Sequence, residues 1–188
     1  MTDRLNPARV FARPGTALAA ALVVFACLQS AHAADPVRGE QQMVVAANPY
    51  ATEAGIEILR AGGSAVDAAI TVQLVLSMVE PQSSGIGGGA FLLHTDTAAA
   101  GDEAVVTVYS GRETAPAGAG PAMFAGDGDS PPSFTSLMYG GLPVGVPGAM
   151  RMLEMAHRDH GRLPWADLFE PAIELAENGF EISPRLYF

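Results

Sequence analysis

The hydrophobic and polar positions of this chain follow three patterns in turn. Gln42 to Ala47 (QMVVAA) is a short apolar run and predicts a buried strand. Asn48 then stands where a helix N-cap would, with Pro49 at the first helical position, and the helical period continues to about Ala61 before Gly62-Gly63 stops it. Ser64 and Asp67 have capping-box spacing, with Asp in place of the usual Glu or Gln. They open a second helix, SAVDAAITVQLVLSMV, which is apolar nearly all round and is therefore expected to be buried on all sides. Glu80-Pro81 ends it.

The period then changes. After a glycine-rich stretch, Ala90 to His94 and Ala104 to Tyr109 read as two strands of a β-hairpin joined by the polar turn TDTAAAGDE. Ser110 to Gly141 is rich in Gly, Pro, Ala and Ser and reads as a long loop, and such loops within a compact domain are usually functional or mobile. Two helices follow. One runs from about Gly148 to His160. The other carries Trp165, Leu168, Phe169, Ala172, Leu175 and Ala176 on one face, is interrupted at Pro171 and ends at Gly179. There is no internal repeat.

Composition narrows the class. A chain of 188 residues, 49% hydrophobic and 16% charged, has material for about one domain and can build a core. All ten basic residues are arginine, against twenty acidic ones, and the net charge of -10 argues against nucleic acid as a partner, because phosphate binding needs a basic surface. The N-terminus reads separately. Arg4, Arg9 and Arg13 precede an apolar run, Ala17 to Leu28, that is too short to span a bilayer, and Ala31-His32-Ala33 is a small-x-small cleavage site. Residues 1–33 are thus expected to be a secretory signal peptide and 34–188 the exported domain, periplasmic or secreted. The only cysteine, Cys27, lies inside that signal, so the mature part has no disulfide; a lipid anchor at Cys27 is the alternative reading.

Four stretches carry possible chemistry. Gly85-Ile86-Gly87-Gly88-Gly89-Ala90 matches G-x-G-x-x-A in letters, but a dinucleotide fingerprint must follow a strand and open a helix, and here the order is reversed. Close backbone packing, where a helix feeds into a central strand, is the favoured reading. Ser83 and Ser84 lie in no nucleophile elbow and read as turn residues. His157 and His160 could hold a metal if a third ligand came near, but their place at a helix C-terminus already suits them to the helix dipole. Arg112, in VYSGRETAP, directly follows a predicted strand. Its planar fork could clamp a carboxylate through two parallel hydrogen bonds, or it could form a surface ion pair with Glu113 or Glu103.

Five blocks taken together carry a resemblance. NPYATEAGIEILRAGGSAVDAAI, EPQSSGIGGGAFLL, GRETAP, GLPVGVPGAM and HGRLPWADLFEPAIELAENGFEIS resemble successive segments of the γ-glutamyltranspeptidase family, in the family's order, over nearly all of the chain from Met43 to Leu186. The resemblance implies an α+β fold, the N-terminal nucleophile hydrolase fold, in which two β-sheets stack between layers of helices (αββα). It implies a precursor that cuts itself into a large and a small subunit. The new N-terminal threonine of the small subunit is the nucleophile, and its own α-amino group can act as base. That threonine attacks the γ-carbonyl of glutathione or a related γ-glutamyl compound, and the ester formed passes the γ-glutamyl group to water or to an amino-acid or dipeptide acceptor. No cofactor or metal is implied. Arg112 is similar in place to the arginine of the family's R-E-x-A-P motif, which binds the donor's α-carboxylate. Ala90 stands where the family commonly has a further glycine. Nothing here resembles the D-G-T-T-H-type segment that begins the small subunit, and Thr71, Thr95, Thr107, Thr114 and Thr135 all fall within large-subunit blocks. No catalytic residue is therefore assigned. The nucleophile is expected beyond Phe188, and the chain is expected to be the front of a longer frame that pairs with its own small subunit. An acylase on the same scaffold, acting on glutaryl or other β-lactam side chains, and a non-catalytic truncated polypeptide are the alternatives.

Overall fold

The computed structural model describes residues 36–97, 104–125 and 132–187. The chain divides into two compact units, Met1–Gly39 and Glu40–Phe188. Of the first, only residues 36–39 are described, and they carry no regular element. The expected signal peptide and Cys27 lie outside the described residues, as does most of the hairpin turn.

The second unit is α+β. Helix α1, Pro49–Arg60, begins as the sequence predicts: Asn48 is extended, its side chain accepts from the Tyr50 N–H, and Pro49 occupies the first turn, where its missing N–H costs nothing. Gly62, at φ +93°, turns the chain out of the helix in a conformation that L side chains rarely adopt. Helix α2, Ala65–Val79, starts with the full reciprocal capping box, Ser64 Oγ accepting from Asp67 N (3.1 Å) and Asp67 Oδ2 from Ser64 N (2.8 Å). α1 and α2 approach closely because Gly55 has no side chain: a Cβ there would lie 2.7 Å from a Val72 methyl and 2.9 Å from a Val44 methyl.

Strands β1, Phe91–Asp96, and β2, Val105–Ser110, pair antiparallel, with Phe91 opposite Ser110 and Asp96 opposite Val105. A short 3₁₀ turn, Pro121–Phe124, and helix α3, Phe134–Met138, punctuate the long loop. Helix α4 is Ala149–His160. The expected break at Pro171 is real: a 3₁₀ turn, Trp165–Phe169, gives way to helix α5, Glu170–Asn178, with the proline in its first turn. Gly179 then leaves at φ +79°, and a last short helix, α6, is Pro184–Tyr187.

Helix α2 is the hub. Ile70 and Leu74 join Ile58, Met152, Leu153, Ala156, Leu168 and Tyr109 in one cluster, and Val75 and Val79 join Ala51 and Ala54 in a second. Thr71 is fully buried and donates to the Leu168 carbonyl at 3.0 Å, which ties the 3₁₀ turn to the hub. Leu168 is itself fully buried, and its truncation to Ala would cost about 2–5 kcal/mol.

Two expectations need correction. Residues 42–47 do not form a strand. A strand needs a ladder partner, and the only sheet among the described residues is the β1–β2 pair. Instead Met43, Val44 and Val45 lie along a groove shared with Leu59, Ala65, Ala68 and Val72. For the same reason α2 is not buried all round: Ala65 and Ala69 open onto that groove. The outer face of the hairpin is open too. Phe91, Leu93, Val106 and Val108 are exposed, while Leu92 and Tyr109 on the other face pack into the core.

Candidate functional site

Arg112 stands where β2 has just ended. Gly111 still pairs with Ala90, through bonds of 2.9 and 3.3 Å, and Thr114, two residues past Arg112, is caught in an antiparallel bridge to Val146 (2.9 and 3.3 Å). Between these anchors the backbone is pressed by the start of α4. A Cβ on Gly148 would lie 2.5 Å from the Gly111 carbonyl oxygen, and one on Gly111 would lie 2.7 Å from Met152 Cβ. Both positions require glycine because two backbones touch.

This packing turns Arg112 outward and Glu113 inward. The Arg112 side chain is 68% exposed and that of Glu113 30%. Arg112 Nη1 donates to Glu113 Oε2 at 2.5 Å. The carboxylate engages one edge of the guanidinium, so among the described residues the remaining donors of the fork have no partner. Glu113 is itself wedged by glycines. A Cβ on Gly89 would overlap its carboxylate, at 2.7 Å from Cδ, and one on Gly145 would meet its Cβ at 2.8 Å.

The glycine run therefore splits in two. Gly88 accepts from the N–H groups of Gly148 (3.2 Å) and Ala149 (3.1 Å), and Gly89 makes room for Glu113. This half is packing support, as expected from the sequence, and it supports the arginine's partner as well as a strand. Gly85 and Gly87 meet nothing within 4 Å. Ala90 fits because its methyl packs on the main core cluster.

Arg112 and Glu113 open onto a cleft of about 390 Å³ that Met123, Phe124, Leu142, Pro143 and Val144 also line. A cation with a free bidentate edge, at the rim of a cleft of small-molecule size, is suited to hold a carboxylate. A second cleft, between α1 and α5, is lined by Glu53, Glu57 and Glu174 and offers no cation.

The other residues singled out in the sequence go elsewhere. The Ser83 and Ser84 N–H groups both donate to the Glu80 carbonyl at 3.0 Å, so these two are turn residues. Their hydroxyls accept from Arg185 and Gln73. His157 and His160 lie in the last turn of α4 but face different neighbours. His157 Nε2 donates to the Leu163 carbonyl at 2.9 Å. His160 stacks on His94 with ring centres 3.8 Å apart. Tyr109 donates its O–H to Asp159 Oδ2 (2.8 Å), so the 2.9 Å contact with His160 Nε2 must run from the imidazole N–H to the phenol oxygen. Burial and the Asp159 carboxylate push the Tyr109 phenol above its ordinary 10.0. Among the described residues no three His, Cys, Asp or Glu side chains converge as metal ligands.

Two arrangements were not foreseen. Glu80 is buried at the end of α2 and accepts from Asn48 Nδ2 (2.9 Å) and Gln82 Nε2 (2.5 Å); chiefly the Asn48 bond holds its carboxyl below the ordinary 4.5. Asp67 reaches past its own cap, and its Oδ2 also accepts from the N–H groups of Arg162 (2.9 Å) and Leu163 (3.2 Å). The one available signal was Asp in a capping box that usually holds Glu.

Helices packed on one side of a hairpin are the part that this chain shares with solved γ-glutamyltranspeptidases and related acylases of the N-terminal nucleophile hydrolase fold. The fold is similar to that of the γ-glutamyltranspeptidase of Helicobacter pylori (34% identity, TM-score 0.71, covering 80% of this chain and 42% of that one). It is less similar to the cephalosporin acylase of Bacillus halodurans (32% identity, TM-score 0.56, 80% and 28%). Residues 51–188 match the family model for gamma-glutamyltranspeptidase, and the chain belongs to that family. Among curated relatives it is 43% identical over 152 residues to glutathione hydrolase 3 of Arabidopsis thaliana; the match covers 81% of this chain but only 22% of the relative.

Proposed function

We propose that this chain supplies the donor-binding part of an exported γ-glutamyl hydrolase/transferase that cleaves glutathione and related compounds, with Arg112 holding the donor's α-carboxylate. The observation that carries the reading is the free edge of the Arg112 guanidinium at the rim of its cleft, within the R-E-T-A-P block. The α-carboxylate distinguishes a γ-glutamyl amide from other amides, so a fork fixed between the Gly111 and Thr114 anchors reads the feature that defines the substrate. Glu113 keeps the fork oriented through one N–H and leaves the others for the ligand. The nucleophilic threonine and the groups that stabilise the oxyanion belong, in this reading, to the part of the family's length that the chain does not span. The weaker likeness to the cephalosporin acylase does not favour the acylase reading.

The test is steady-state kinetics of the whole gene product on γ-glutamyl and glutaryl amides. Arg112→Ala removes a pair of charge-assisted bonds worth about 1.5–3 kcal/mol and should raise KM about ten- to 150-fold with the fold intact. Arg112→Lys should recover only part of the loss, since an ammonium cannot form the fork. An unchanged KM in Arg112→Ala would overturn the assignment. Preference for glutaryl amides would turn the reading to the acylase.

A further inference from the structure

We propose that the apolar residues lining the Arg112 cleft select γ-glutamyl compounds whose amide nitrogen carries a residue with a large apolar side chain, such as phenylalanyl, over one with a small side chain, such as glycyl. This rests on the reading of Arg112 as the carboxylate clamp. Among the described residues, Thr114 is the only one besides Arg112 and Glu113 that lines the cleft with a polar side chain. The apolar part of the lining includes Met123, Phe124, Leu142, Pro143 and Val144.

Phe124 is 46% exposed, Leu142 45% and Val144 59%, so these apolar surfaces are not spent on the chain's own core. Both wall segments are held by backbone bonds. Met123 N donates to the Gly120 carbonyl (3.0 Å) in the 3₁₀ turn, Val144 N to that of Gly141 (3.3 Å), and the Thr114–Val146 bridge fixes the second segment against the Arg112 strand. A ligand anchored by its α-carboxylate occupies the rim, and at about 390 Å³ the cleft is larger than one glutamyl group fills. An apolar side chain on the substituent beyond it gains by leaving water against these surfaces, and a hydrogen in its place does not.

The experiment measures how tightly γ-glutamyl-phenylalanine and γ-glutamyl-glycine compete with a chromogenic γ-glutamyl amide for the whole gene product, in the wild type and in Phe124→Ser, Leu142→Ser and Arg112→Ala. Circular dichroism checks the fold of each, and the substituted wall residues are exposed enough to spare the core. The wild type is expected to bind the phenylalanyl compound about tenfold more tightly, the scale set by a hydrophobic group on a one-sided apolar wall. Either serine substitution should bring that ratio toward one while the glycyl compound keeps its affinity. Arg112→Ala should weaken both ligands by a similar factor. A wild-type ratio of one, or a ratio that survives both serine substitutions, overturns the apolar wall and leaves the clamp standing if Arg112→Ala still weakens binding. Affinities untouched by Arg112→Ala, or no binding of either ligand, overturn the clamp and this inference with it.

Discussion

Asp67 offers the sharpest test of the fold. It is fully buried, and one of its oxygens, Oδ2, accepts three backbone N–H groups: Ser64 at 2.8 Å, Arg162 at 2.9 Å and Leu163 at 3.2 Å. Its Oδ1 has no hydrogen-bond partner, and His157 Nε2 stands off at 3.7 Å. In Asp67→Ala all three donors lose their acceptor. The capping half of the loss is worth about 1 kcal/mol. The two long-range donors are only partly buried, so water recovers some of their bonding, and each costs about 1 kcal/mol, the low end for an unsatisfied group. The sum is about 3 kcal/mol. Asp67→Asn keeps one oxygen for the three donors but puts an NH2 without an acceptor in the place of Oδ1, so about 1–2 kcal/mol is expected. Urea unfolding followed by far-ultraviolet circular dichroism measures both, with the slope m unchanged if the loss is one of stability alone. A loss below about 1 kcal/mol in Asp67→Ala would refute the reasoning, because it cannot occur if the three bonds hold the loop after α4 to the start of α2.

The remaining predictions concern the site's support and its titrating neighbours. Gly89→Ala should destabilise the fold and weaken γ-glutamyl binding, since its methyl collides with Glu113, while Gly87→Ala should change neither; denaturation and titration of the two variants side by side decide this. Glu80 has a depressed carboxyl, so the native state binds its proton less readily than the unfolded chain does. The stabilisation it gives is present above about pH 4.5 and is lost as pH falls through its lower native value. Glu80→Gln should accordingly unfold with a shallower dependence on pH in that acid range, and an identical acid transition would count against the Asn48–Glu80 bond. Tyr109 has the opposite sign. Its native phenol holds the proton more tightly, so its contribution is intact below pH 10.0 and declines as pH rises through the raised native value. Tyr109→Phe should cost about 1 kcal/mol at neutral pH through its two lost hydrogen bonds, with the gap to wild type closing in alkali.

The elements and their ends were largely legible because their signals are local. Asn48 and Pro49, the Ser64–Asp67 box, the Pro171 break and the Gly62 and Gly179 exits each act within a few residues, and each was found in place. The missed elements depended on distant partners. Residues 42–47 have the apolar content of a strand, but strand or groove lining is decided by what lies alongside. The site was half legible. Arg112 stood out by position, and Glu113 was visible as its ion-pair neighbour. That Gly88, Gly89 and Gly145 cradle Glu113 could not be read, because the three approach it from two separate segments. The reach of Asp67 to Arg162 and Leu163, 95 and 96 residues away, has no sequence period at all.

That reach also has a bearing on how the chain can vary. Between α2 and α4 the hairpin, the cleft and its apolar wall form one excursion, and the bonds from residue 67 to 162 and 163 tie the chain after α4 back to the start of α2. Closure entropy rises only with the logarithm of length, by about 0.6 kcal/mol for each doubling. Residues could be added to or removed from the tip of that excursion at little thermodynamic penalty, and the register of α1, α2 and α5 would not sense the change. The fold thus separates the part that must stay constant from the part that can be rewritten for a new ligand, and a single carboxylate oxygen helps hold the constant part closed around it.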